Sequence, residues 1–233
     1  SSAFATYSSI KSDDKINRDR LSVEYEYDNP DNDKLFKFFR TKVYSQYAKA
    51  NDNFDRTTTA FGAETLREHE YYLKNDSFGA DLEFHSQLNN SDFTYGIDYS
   101  KVETSRTRTT RTIGGSTEVA KDTPDTDITR TGVYVQNEFS QGKFDFISGL
   151  RYDSYDLDAK TDAYVSSSAA FDLSSDKLSP KLAVTYNIND YLSTYAKYSQ
   201  GFRAPAYYEV NANFSNPARA VSYTHLRAHE TYV

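Results

Sequence analysis

From Leu178 to Ser199 this chain is written two residues at a time. Leu178, Pro180, Leu182, Val184, Tyr186 and Ile188 alternate with Ser179, Lys181, Ala183, Thr185 and Asn187. The run Asn187-Ile-Asn-Asp190 turns, and Leu192, Thr194, Ala196 and Tyr198 then alternate with Ser193, Tyr195, Lys197 and Ser199. One face is apolar and aromatic, the other polar and partly charged. That is a strand between two unlike environments. Its length, about ten residues, is what a tilted strand needs to cross a bilayer.

The same grammar recurs three times upstream. Leu21, Val23, Tyr25 and Tyr27 alternate up to a turn at Asn29-Pro-Asp-Asn-Asp33. The return strand, roughly 35–48, carries apolar residues on both faces; Phe39, Val43 and Tyr47 are expected outward, with a bulge to reconcile Phe36 and Phe38. Phe78, Ala80, Leu82 and Phe84 oppose Asp81, Glu83 and His85, and after a turn at 88–92 Phe93, Tyr95, Ile97 and Tyr99 return. Val133, Val135 and Phe139 oppose Gln136 and Glu138; after a turn at 140–143, Phe144, Phe146, Leu150 and Tyr152 oppose Asp145, Arg151 and Asp153. Long polar segments, about 49–66, 102–129 and 154–176, separate the hairpins and read as loops, as do residues 10–19. A further strand is expected near Ala3–Ser9. Short turns at one end and long connections at the other are the habit of outer-membrane barrels.

Composition agrees with that frame. No run approaches the ~20 apolar residues of a spanning helix, and a barrel strand gives only every second residue to lipid, so its average stays polar. The 21 Tyr and 15 Phe suit the aromatic girdles of barrels. With no Cys, disulfides and thiolate metal sites are excluded. A net charge of −7 argues against nucleic acid as a partner.

The segment Tyr195-Ala-Lys-Tyr-Ser-Gln-Gly-Phe-Arg-Ala-Pro205, with Asp125-Thr-Asp-Ile-Thr-Arg-Thr-Gly-Val-Tyr-Val-Gln-Asn-Glu138, Gly149-Leu-Arg-Tyr-Asp153 and Lys177-Leu-Ser-Pro-Lys181, resembles TonB-dependent outer-membrane receptors. The likeness is strongest to their haem and haemoglobin branch, and it runs from roughly Arg20 to Ala220. It implies an all-β, antiparallel up-and-down transmembrane barrel, here partial, with about nine strands of an expected 22 in an open curved sheet. Residues 1–220 are then an interior slice lacking the plug domain and later strands. It also implies a transporter rather than an enzyme, in the bacterial outer membrane, taking up haem or haem-protein iron. Its partners would be membrane lipid, haem or a haem-carrying protein, and the TonB complex through the absent plug. Haem is then transported cargo, with no permanently bound cofactor. Siderophore or other nutrient uptake is the nearest alternative; an enzyme on a barrel rim or a soluble β-rich binding protein are alternatives of another class. Residues 221–233 read as a non-native tail resembling a translated sequencing adapter, so His225 and His229 are not taken as a metal site.

In that family the Phe-Arg-Ala-Pro motif begins a ligand-binding loop, which marks Phe202, Arg203, Ala204, Pro205, Tyr207, Tyr208 and Glu209 as ligand-binding candidates. Arg203 has two readings: a bidentate donor to haem propionates or a partner's carboxylates, or part of a strand-to-loop transition anchored by Phe202 and Pro205. No His lies between Pro205 and Ala220, so the family's haem-ligating histidine has no counterpart there. His69 and His85 share the lumen-facing parity of Asp81 and Glu83; His69 sits nearer the extracellular end, where a haem iron would be reached, although an ordinary hydrogen-bonded histidine is the commoner fate of such a residue. The basic run Ser105–Arg111 reads as an exposed outer loop, and Asp153, Asp156, Asp158 and Asp162 as solvated charge rather than a cation site. No metal site is expected.

Overall fold

The computed structural model describes residues 6–29, 37–60, 63–165, 170–211, 215–216 and 221–222. Eight strands form one antiparallel meander: β1 (Thr6–Asp28), β2 (Phe38–Ala60), β3 (Ala63–Leu88), β4 (Ser91–Thr112), then β6 (Asp125–Gln141), β7 (Phe144–Lys160), β8 (Leu173–Asn189) and β9 (Leu192–Ser199). A short β5 (Thr117–Ala120) pairs with β4. The order β1-β2-β3-β4-β6-β7-β8-β9 never crosses over, and the sheet does not close on itself. A four-residue helix, α1 (Tyr207–Val210), follows β9, and a two-residue pair, β10 (Ser215–Asn216) with β11 (Val221–Ser222), follows it. Among the described residues no helix is long and apolar enough to cross a membrane.

Register fixes the two faces, because directly opposed residues project the same way. Tyr27, Phe39, Phe84, Tyr95, Val135, Leu150 and Pro180 form one such row, and Tyr25, Thr41, Leu82, Ile97, Val133, Tyr152 and Leu178 the next. Phe146 and Val184, then Phe144 and Tyr186, continue the same face. The aromatics touch across strands: Phe39 on Phe84 at 5.1 Å, Phe84 on Tyr95 at 5.4 Å and Phe139 on Phe146 at 4.8 Å. This is the face that the sequence pattern assigns to lipid. Phe39, Val43 and Tyr47 lie on it as expected, and the register on both sides of β2 is unbroken from Phe38 to Tyr47; Phe36 lies outside the described residues. Phe38 points the other way and packs on His85 at 4.7 Å.

The short turns are tight for local reasons. Asn89 and Gly142 adopt φ of 53° and 63°, a left-handed conformation that Asn and Gly tolerate in two-residue hairpin loops. Asn189 accepts the Tyr191 N–H through its side chain at 3.0 Å. Most of the expected 29–33 turn lies outside the described residues, bracketed by an Asn29–Lys37 backbone bond of 2.8 Å. Each successive turn falls two or three residues beyond the level of the one before it. That stagger is the shear that closing a sheet into a barrel requires.

Most of the polar segments expected to be loops are instead strand. Residues 10–19 belong to β1, 49–60 and 63–66 to a β2–β3 hairpin, 102–112 to β4, 125–129 to β6 and 154–160 to β7. Beyond the apolar band both faces are wet, so the ladder continues with no hydropathy contrast to mark it. The strand expected near Ala3–Ser9 is the start of β1 where it is described, and the ninth strand is β5. Residues 223–233, with His225 and His229, lie outside the described residues.

Candidate functional site

The inner face is polar and cross-linked. Arg151 grips Asp98 with two nitrogens, Nη1 to Oδ1 at 2.8 Å and Nη2 to Oδ2 at 3.1 Å, while its Nε reaches Asp153 at 2.8 Å. The fork needs room that only glycine leaves: a Cβ at Gly132 would stand 2.0 Å from Arg151 Nη2. Tyr134 donates to Glu83 at 2.7 Å, and Arg40 and His85 each approach the same carboxylate at 3.3 Å. Lys181 donates to Gln136, which donates to Glu138. Asp81 shares this face with them. The inner wall thus presents hydrogen-bonding and charged groups rather than an apolar surface.

One apolar island interrupts it. Ile128, Tyr155 and Leu157 are buried, with Val102 and Leu173 beside them. The cover is the segment after β9: Phe202, Ala204, Tyr207 and Val210 pack onto the island. Tyr155 is completely buried and its hydroxyl donates to the Pro205 carbonyl at 2.9 Å. Asn211, also buried, exchanges two hydrogen bonds with the backbone of Phe171. The Phe-Arg-Ala-Pro segment therefore folds inward over β6 and β7. Beside it opens a recess of about 340 Å³, lined by Asp98, Arg130, Arg151, Asp153, Phe202 and Ala204.

Arg203 is exposed, and its Nη2 donates to Glu209 at 2.7 Å. The other Glu209 oxygen accepts the Ala206 N–H at 2.9 Å, capping α1. Tyr208 remains exposed. The Ala206 amide first, then the Arg203 guanidinium, holds the Glu209 carboxyl below its usual pKa. Because the folded pKa lies below the unfolded one, this latch contributes fully above the ordinary glutamate range and fades as pH falls through the folded value. Protease sensitivity of the Phe202–Asn211 segment should therefore rise below about pH 4.5, and Glu209→Gln should remove that pH dependence. An unchanged profile in the variant would contradict the latch.

His69 does lie on the inner face, toward the outer end, while His85 sits near the short turns. The structure does not bring His69 to the Phe202 segment. The run 105–111 is strand, not an exposed loop: Arg106 and Arg108 face inward with Tyr71, and Arg111 faces outward beside Glu68. Asp153 binds Arg151, Asp162 binds Lys121 at 2.5 Å, and Asp156 and Asp158 face outward. Among the described residues no cluster of His, Asp or Glu is arranged to hold a metal ion. The island under the loop went unforeseen, although Val102, Ile128, Leu157 and Leu173, apolar at inward parity, were its signal.

A staggered antiparallel sheet with an apolar outward face and a hydrogen-bonded polar inner face agrees with the family comparison, in which a model described as TonB dependent receptor-like, beta-barrel matches residues 2–228. The chain belongs to that family. It is therefore an outer-membrane barrel segment, and its family's members are receptors and transporters rather than enzymes. Two proteins of Haemophilus influenzae named heme/hemopexin utilization protein C resemble it: one is 31% identical over 134 residues, the other 29% identical over the same length. Each match takes in 56% of this chain and 17% of the relative. The copper transporter OprC shares the fold, with a TM-score of 0.61 and 14% identity, covering 85% of this chain and 32% of that one.

Proposed function

We propose that this chain forms part of the wall of a TonB-dependent receptor that takes up haem or haem-protein iron. The observation that carries the ligand is the 31% identity, over 134 residues, to a protein named for haem and hemopexin utilization. The wall suits the task. Its lumen face can seat a plug through the Arg151, Glu83 and Lys181 networks, and its Phe202–Glu209 segment projects over that lumen. In this reading Arg203, Tyr208 and Glu209 meet the ligand at the loop, with Phe202, Ala204, Pro205 and Tyr207 setting the loop against the island. His69 stands on a separate part of the inner wall. Energy coupling runs through the plug to the TonB complex.

The test is growth. An iron-starved bacterium lacking its own haem receptors should grow on haem as sole iron source when it expresses the full-length receptor that carries this segment, and deletion of TonB should abolish that growth. Growth on ferric siderophore but not haem, or on neither, overturns the proposal.

A further inference from the structure

Just past the apolar island, an enclosed charge joins the outer ends of β6 and β7. The Lys121 side chain is 9% exposed, and its Nζ meets Asp125 Oδ2 at 2.7 Å and Asp162 Oδ2 at 2.5 Å. Asp125 opens β6, and Asp162 stands two residues past the end of β7. The segment that carries Lys121 is itself firmly seated. Thr123 and Pro124 are buried, and Asp122 binds Arg108 of β4 at 3.0 Å. Burial alone would lower the Lys121 pKa, but hydrogen bonds to Asp125 and Asp162 outweigh it and hold the pKa above the usual lysine value. The ammonium therefore stays charged between its two carboxylates.

A chain of bonds leads from this ion pair to the Phe202 segment. Asp162 Oδ1 accepts the Tyr164 and Val165 N–H groups at 2.8 and 3.0 Å, and Val165 is buried. Three residues before Asp162, the Ala159 N–H donates to Asp172 Oδ1 at 2.8 Å, and Ala159 packs against the island. Asp172 adjoins Phe171, whose backbone exchanges two hydrogen bonds with the Asn211 side chain, at 2.7 and 3.0 Å. Asn211 closes α1, and Tyr207 and Val210 of that helix lie on the island. Element ends are where a fold opens first, so a charge clasping the ends of two strands bears on everything tied to them.

We infer that Lys121 is the clasp of a conformational strap: it holds the ends of β6 and β7 together and, through Ala159, Asp172 and Asn211, keeps the Phe202–Asn211 segment down on the island. Lys121 governs that segment through the rim and needs no contact with it. Opening of the clasp and lifting of the segment form one coupled local opening, and such coupling is reciprocal. The device acts on the segment whatever cargo it meets, so it stands independently of the haem reading.

The experiment follows thiol labelling of the full-length receptor carrying a cysteine at Ala204, which rests on the island. Lys121→Met keeps the stem but leaves two partly enclosed carboxylates without the cation between them. Labelling should then be at least about tenfold faster than in the parent, whereas Lys121→Arg should retain most of the protection. Asp162→Asn, which loses one arm of the clasp while its side-chain oxygen still accepts both N–H groups, should give a smaller acceleration; it decides the matter if Lys121→Met does not fold. In the reverse direction, Asn211→Ala should speed labelling of a cysteine placed at Val165. A cysteine at Ser77, on the inner face of β3 and outside the route, should label alike in every form. Heat-modified mobility on gels checks that each variant remains a folded barrel. Unchanged labelling at Ala204 in the folded clasp variant overturns the inference, as does unchanged labelling at Val165 in folded Asn211→Ala. Equal acceleration at Ser77 overturns it too, because the whole wall would then have loosened. None of these readings involves cargo, so growth on haem decides the proposed function separately.

Discussion

Val184→Arg is expected to destabilise the assembled receptor by roughly 2–4 kcal/mol, the cost of an arginine on the lipid face near the bilayer midplane. Val184 lies opposite Phe146 on one side and Ala196 on the other, within the outward apolar band. Thr185 is its neighbour in sequence but faces inward, opposite Asp145 and Tyr195. An arginine there enters a polar lumen with a carboxylate at hand, so Thr185→Arg should cost much less. Urea titration of the full-length receptor folded into lipid vesicles measures both. Equal penalties would mean that the two positions do not alternate between lipid and lumen.

Tyr155→Ala should cost about 3–5 kcal/mol, the range for deleting a buried aromatic and leaving a cavity. The loss would not stay local. Tyr155 is the floor on which Phe202 and Ala204 rest, and its hydroxyl holds the Pro205 carbonyl, so its removal should release the Phe-Arg-Ala-Pro segment. Tyr155→Phe, which keeps the floor and deletes only the hydrogen bond, should cost about 1 kcal/mol. A cysteine introduced at Ala204 reports the release: thiol labelling should be much faster beside Tyr155→Ala and little changed beside Tyr155→Phe. Equal labelling rates in both would mean that the loop is held elsewhere.

The sheet's faces were legible wherever the two sides met different solvents. Leu182, Val184 and Tyr186 announce a strand because lipid and lumen select opposite residues at alternate positions, and the same holds for Phe93 to Tyr99 and for Phe144 to Tyr152. That contrast ends at the membrane boundary. Residues 49–60 and 102–112 carry polar side chains on both faces, so a ladder and a solvated loop read alike; the β-branched runs at Thr57–Thr59 and Thr107–Thr112 were the remaining strand signal. The candidate site divided in the same way. The Phe202–Pro205 motif marked the segment, but its inward fold depends on Tyr155, about fifty positions upstream, and on Ile128, which only the pairing of β6 with β7 brings alongside. The stacked rings of Phe54, His69 and Tyr71 are likewise brought together by the β2–β3 register, which no local pattern in either strand specifies.

The stagger of the short turns also governs how the outer hairpin stands. If those turns share one membrane surface, a slip of somewhat more than one residue per strand sets the strands about 40° from upright. Past the apolar band β2 and β3 continue for about 40 Å of strand. Leaning at that angle, the hairpin climbs about 30 Å and travels nearly as far sideways, toward the β1 side and away from the Phe202 segment. Its tip is placed as much by its length as by its root. Removing one residue pair from each arm would lower the tip by about 5 Å and swing it back along the rim by a similar distance, so length variation here acts on azimuth as well as height.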